Sequence, residues 1–206
     1  MPVTTVASRL IVLFLLGFMT ACSTTQVQES WRLPGYQTPA QQKVLVVAMT
    51  ATESMRKIVE TEFSQALEQQ GIVAIPSHQW IPDGTRLNRE AVEPIVRQNG
   101  VSTVLVTSIR DVQKTRAYQP EPATGADDGL FRSMDTFYAY SSSGQHEGGS
   151  YATLTDYLIE TNLFDSRTNK LSWSVITRTT ETGSIKKAVG EVVKTVIKRA
   201  GKDNVL

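Results

Sequence analysis

Lys43-Val44-Leu45-Val46-Val47-Ala48-Met49, running into Thr50-Ala51-Thr52-Glu53, is the stretch that decides the fold. The run is apolar at consecutive positions and rich in valine, the pattern of a strand covered on both faces. Thr50 offers a hydroxyl to orphan amides and Glu53 a carboxylate three residues on, so a capping box should open a helix here. Met55, Ile58, Val59, Phe63, Ala66 and Leu67 then recur at helical spacing, and Gly71 stops the helix.

The same alternation continues downstream. Ile72 to Pro76 reads as a second short strand, and Pro82-Asp83-Gly84 as a turn. Asn88 can cap a helix carrying Ala91, Val92, Ile95 and Val96, closed by Asn99-Gly100, with a kink or offset start expected at Pro94. Val101 to Val112 is the third strand, and two successive βαβ units make these three strands parallel. Asp156 to Phe164 and Lys170 to Thr180, joined by the turn Asp165–Asn169, form an antiparallel hairpin. Ser184 caps a final helix whose stripe is Ile185, Ala188, Val189, Val192, Val196, Ile197 and Ala200. Its opposite face carries Lys186, Lys187, Lys194, Lys198 and Arg199, which reads as a solvated face.

Between the third strand and the hairpin, residues 117–155 break the pattern. They are rich in Gly, Ser, Pro and Asp, yet carry Phe131, Phe137, Tyr138 and Tyr140. Connections of this length are either functional or disordered. Aromatics among Gly and Ser can anchor a partner at low entropic cost, insert in a membrane, or cover an exposed sheet face.

Upstream, Ser23 to Gln42 is polar, holds Pro34, Gly35 and Pro39, and reads as a tether onto which Trp31 and Tyr36 would fold back. Before it stands Arg9, an apolar run from Leu10 to Phe18, and Met19-Thr20-Ala21-Cys22. The run is too short for a membrane span, which needs roughly 20 residues, and suits a signal-peptide core. It resembles a bacterial lipoprotein signal, with Met19 where leucine is usual. Cys22, the chain's single cysteine, is then the lipidation site, and Ser23 after it implies sorting to the outer membrane. With one cysteine, no intramolecular disulfide can form.

Removing residues 1–21 takes away one basic group, Arg9, and leaves 20 acidic groups balanced by as many basic ones. A broad electrostatic attraction to nucleic acid has no basis in that balance. An enzyme needs a base in a tuned, rigid setting, and the two histidines offer little: His78 follows a strand and His146 sits in the insert. No paired histidines occur at zinc-ligand spacing, and Gly144 to Gly149 lacks the Lys-Ser/Thr of a phosphate loop.

Lys43–Met49, the helix ending at Gly71, and Asn162-Leu163-Phe164-Asp165 with Lys170-Leu171-Ser172-Trp173 resemble periplasmic lipoproteins of the TolB amino-terminal-like group, which includes CsgG and LpoB. The chain is also similar to a lipoprotein family in which a tether tryptophan, here Trp31, precedes a Lys-Val-Leu-Val-Val strand. The likeness spans about residues 31–200. Asn169 replaces the usual turn glycine, which asparagine's tolerance of left-handed backbone permits. The resemblance implies a binding or assembly protein and transfers no catalytic residue.

The expected architecture is thus α/β (α+β): a mixed sheet of about five strands, β-α-β-α-β, then an antiparallel hairpin and a C-terminal amphipathic helix. Residues 1–21 are expected to be a signal peptide, 22–42 a lipidated tether and 43–201 one domain. The expected role is a non-catalytic binding or assembly factor on the periplasmic face of the outer membrane. Its partners would be the membrane, through Cys22, and an envelope protein, met through Phe131, Phe137, Tyr138 and Tyr140, with no cofactor or metal. An oligomeric secretion or pore component like CsgG is the alternative, and a periplasmic hydrolase using His78 or His146 a remote one.

Overall fold

The computed structural model describes residues 24–120, 149–180 and 183–206. Within them the order is β1 (Thr25–Arg32), β2 (Lys43–Met49), α1 (Glu53–Glu68), β3 (Val73–Pro76), a 3-10 turn (Ser77–Gln79), α2 (Arg89–Asn99), β4 (Thr103–Pro120), β5 (Gly149–Asp165), β6 (Lys170–Thr180) and α3 (Ile185–Lys202). The strands make one sheet in the order β1-β6-β5-β4-β2-β3. The β3–β2 and β2–β4 ladders are parallel, whereas the β4–β5, β5–β6 and β6–β1 ladders are antiparallel.

The α/β class holds, with six strands where about five were expected. The extra one, β1, lies in the stretch read as tether, so the sheet takes in Thr25–Arg32 ahead of Lys43. An edge strand needs little apolar periodicity, because pairing on one side supplies its backbone partners. Thr25 faces Thr179 with their hydroxyls 2.7 Å apart, and Leu33 N–H continues the contact to the Ser172 carbonyl at 2.9 Å. Tyr36 is buried in the core as expected. Trp31, on the opposite face of β1 from the core, stays half exposed.

α1 and α3 pack on one sheet face. Phe63 and Leu67 from α1, and Val192, Val193, Val196 and Ala200 from α3, enclose Val44, Val46, Leu105, Leu163, Trp173 and Val175. α2 lies on the other face, where Ile95 meets Leu45 and Val47. β2 is therefore buried on both sides, as its sequence indicates. The α1 cap differs from the expected box. Thr52 is the cap, accepting from Met55 N–H at 3.3 Å, while Thr50 donates to the Thr52 carbonyl. Ile58 faces solvent, and the buried stripe is Arg56, Glu60, Phe63, Ser64 and Leu67. α2 starts at its Asn88 cap, runs through Pro94, and ends at a left-handed Gly100. Asn169 likewise sits at φ 55°, in the turn that joins β5 to β6.

The C-terminus closes the core on itself. Trp173 donates its indole N–H to Asp203 Oδ2 at 2.8 Å, and Arg199 Nε donates to the same oxygen at 2.9 Å. Burial raises the Asp203 pKa, but the Trp173 and Arg199 hydrogen bonds and the Arg199 charge outweigh it and hold the group below its usual value. Asp165 is lowered in the same way: burial raises it, and the Thr168 and Arg167 contacts prevail. A depressed carboxylate contributes stability above its unfolded pKa of about 3.9 and loses it as pH falls through the folded value. The urea midpoint should therefore drop on acidification below about pH 4. The gap between wild type and Asp203→Asn should shrink over that range. A pH-independent gap would show that Asp203 is not held in its charged form.

Candidate functional site

α1 contains a buried ionic cluster that the sequence reading missed. Glu60 is 0 % exposed and Arg56 2 %. Glu60 Oε1 accepts from Ala48 N–H (3.0 Å), Arg56 Nε (3.2 Å) and Ser77 Oγ (2.6 Å). Its Oε2 accepts from His78 N–H at 2.7 Å and lies 2.9 Å from His78 Nδ1. Arg56 also reaches Glu53 Oε2, Ser77 Oγ and the Ile81 carbonyl.

The reason for the carboxylate lies in the ladder. Backbone groups of successive strand residues point to alternate neighbours. Lys43 exchanges hydrogen bonds with Ser102 on the β4 side, so Ala48 points toward β3. β3, however, ends at Pro76, opposite Val46. Glu60 takes the place of the missing strand and fixes the end of β2. His78 is thus placed as a ligand of Glu60.

That end of β2 is where the strand order reverses: α1 leads from β2 out to β3, and α2 leads back across β2 to β4. Open parallel sheets bind ligands in the crevice beyond the strand ends at such a point. A cavity of about 130 Å³ opens there. Met49 and Thr50 contribute from the end of β2, Met55, Val59 and Phe63 from α1, Thr107 and Ile109 from β4, Tyr157 and Ile159 from β5, and Ile185, Val189 and Val192 from α3. Met49 (49 % exposed), Ile109 (45 %) and Ile185 (53 %) leave apolar surface at its mouth. Ile185 was expected on the apolar stripe of the last helix and Ile109 on the third strand, here β4. Polar atoms in the lining are few, so the cavity suits an apolar group.

Past the cavity, among the described residues, β4 and β5 run on as a two-stranded arm. There β6 gives its last pairing at Thr180 opposite Asp156, whereas β4 and β5 stay paired out to Pro120 and Gly149. Residues 117–120 and 149–155, read as part of the insert, therefore belong to strands. Cys22, Phe131, Phe137, Tyr138, Tyr140 and His146 lie outside the described residues. Lys186, Lys187, Lys194 and Lys198 are exposed on α3, and Arg199 is turned to Asp203. Among the described residues, no three of His, Cys, Asp and Glu gather as a metal site would need, and no helix is long and apolar enough to cross a membrane.

No family model matches the chain, and no curated protein does. Among solved structures it is similar to the PelC dodecamer from Paraburkholderia phytofirmans, at 13 % identity over 84 % of this chain and 94 % of that one, with a TM-score of 0.45. It is also similar to the lipoprotein GNA1162 from Neisseria meningitidis, at 16 % identity over 78 % and 99 % of the two chains and a TM-score of 0.41. A neuraminyllactose-binding hemagglutinin homolog from Helicobacter pylori aligns at 13 % identity over 84 % and 91 %, with a TM-score of 0.39. The neighbours of this mixed α/β fold thus include a bacterial lipoprotein.

Proposed function

We propose that the chain is an envelope lipoprotein of the TolB amino-terminal-like kind, anchored through Cys22 on the periplasmic face of the outer membrane, and that it works as a non-catalytic binding or assembly factor. The observation that carries the binding role is the apolar cavity at the end of β2, with Met49, Ile109 and Ile185 half exposed around it. A dry apolar cavity of about 150 Å³ takes a molecule the size of benzene. The site therefore fits one aromatic or branched side chain of a partner protein and is too small for an acyl chain. Met49 and Met55 in its wall add the adaptability that thioether side chains give a binding surface.

The test has two arms. A photo-crosslinker at Met49 in intact cells should give a discrete protein adduct that Ile109→Arg abolishes, with no such adduct from Val73, exposed on the far edge strand. Equal adducts from both positions would end the cavity reading. Separately, Cys22→Ala should move the protein from the membrane fraction to the soluble fraction. A variant that stays with the membrane would end the anchor reading.

A second reading, an oligomeric secretion or pore component like CsgG, is favoured by the arm, since an isolated two-stranded ribbon is marginal in water. Against the pore itself, residues 111–116 make no apolar row of the sort a lipid-facing strand carries.

A further inference from the structure

The cavity has a charged approach. Tyr157 and Ile159 line it, and being two apart on β5 they share one face of the sheet. Residues directly opposite in an antiparallel pair share a face too. Ile109 stands opposite Ile159 and Val112 opposite Tyr157, with Arg110 taken up by the bulge between them. Farther out the same face carries Lys114 opposite Thr155 and Arg116 opposite Thr153. At 3.3 Å per residue these cations follow Val112 at roughly 7 and 13 Å. Val112 is 45 % exposed and extends the apolar lining toward them. On the helical wall, Lys186 and Lys187 are exposed in the first turn of α3, next to Ile185. Among the described residues no carboxylate answers these four cations. Glu53, at the start of α1, is held by Arg56 and the Gly84 N–H. Asp111 and Asp156 lie on the other face of the ribbon, which Arg178, opposite Leu158, shares. Glu191, farther along α3, has a partner of its own. None of Lys114, Arg116, Lys186 and Lys187 enters an ion pair among the described residues.

We infer that the partner segment received by the cavity is acidic. It is an extended peptide whose aromatic or branched residue enters the cavity while carboxylates two and four residues away meet Lys114 and Arg116. The inference rests on the cavity being the binding site, as proposed above. The spacing follows from the pleat. A strand laid on a sheet face turns alternate side chains toward it, about 7 Å apart, the same interval that separates Val112, Lys114 and Arg116. Packed faces stand about 10 Å apart, a gap that a carboxylate and a lysine or arginine side chain span together. Exposed pairs of this kind add little affinity one by one. Their larger effect is on partner choice and rate of encounter. An anionic lipid is the competing occupant, and a volume of about 130 Å³ counts against it, since an acyl chain does not fit.

The experiment uses the full chain in a neutral detergent and the fluorescence anisotropy of a labelled peptide, Gly-Phe-Gly-Asp-Gly-Asp-Gly. Two relatives serve as controls, one with asparagine for both aspartates and one with alanine for the phenylalanine. The parent peptide should bind about fivefold tighter or more than either. Lys114→Glu with Arg116→Glu should weaken it about tenfold or more and favour a peptide with lysine for both aspartates. The preference for aspartate should narrow as salt rises past about 0.15 M, where the Debye length falls below 8 Å. Both positions are exposed, so the thermal midpoint should barely move. Equal affinity for the aspartate and asparagine peptides would overturn the inference and leave the cavity reading standing. Equal affinity for the phenylalanine and alanine peptides would overturn both. No binding by any of them up to about 1 mM would overturn the inference, and the Met49 adduct then decides the cavity reading by itself. Displacement of the peptide by an equal amount of short-chain phosphatidylglycerol would assign the cations to a lipid headgroup instead. Binding that appears only in Asp127→Asn, Asp128→Asn, Phe131→Ala would give the site to the chain's own insert, and would overturn the inference as well.

Discussion

Glu60→Ala should cost the domain on the order of 3–5 kcal/mol, the usual effect of removing one partner from a buried ion pair. The size follows from what is orphaned. Arg56 loses its most enclosed counter-charge, keeping Glu53, which is partly in solvent. Ala48 N–H, Ser77 Oγ and His78 N–H lose their acceptor at one stroke. Domains of this size hold about 5–15 kcal/mol in all, so the variant would stand near its threshold. Urea denaturation reads the loss as a lower midpoint at unchanged slope. Glu60→Gln, which keeps an oxygen for Ala48 and Ser77, should lose less. Pairing Glu60→Ala with Arg56→Leu should recover part of the loss, because the stranded charge goes with it. A loss under about 1 kcal/mol for Glu60→Ala would show that water replaces the carboxylate and that the end of β2 is not pinned as described.

This cluster also marks where sequence reading fell short. Arg56 and Glu60 stand four apart on a helix, a spacing that usually means a solvated surface pair. What distinguishes them is register: continuing by helical steps gives Phe63 and Leu67, the two residues of α1 deepest in the core. The apolar stripe Met55, Val59, Phe63, Ala66 and Leu67 holds, with Ile58 at its exposed margin, and the two charged residues enter the same buried face between its members. By contrast, β2 was legible because a strand covered on both faces must be apolar at every position. β6 was legible because its alternating residues face one core. β1 was not, since a polar edge strand earns its place through backbone pairing that composition does not encode. The candidate site was the least legible part. Its wall comes from six elements, and none of Met49, Ile109 or Ile185 differs by itself from an ordinary core residue.

Trp173→Ala should be at least as damaging, by about 3–5 kcal/mol. Its side chain is 0 % exposed, lies among residues of α1, α3 and the central strands, and is the largest fully buried one described. Truncation leaves a void that Val175, Leu163 and Val196 cannot close without moving a helix. It also removes the indole donor that, with Arg199, holds the Asp203 carboxylate. The chain around Asp203 would loosen in turn. Asn204 and Val205 carbonyls accept from Thr38 and Gln42, which tie the segment after β1 to the C-terminus. Trp173→Phe separates the two contributions: it keeps most of the volume and loses only the hydrogen bond, for about 1–3 kcal/mol. Fluorescence reports on the same residue, because Trp31 and Trp80 are half exposed and the blue-shifted emission belongs to Trp173. In Trp173→Phe the native emission should therefore move to the red while the fold persists. If Trp173→Phe were as unstable as Trp173→Ala, the indole–carboxylate bond rather than packing would be what joins β6 to the end of α3.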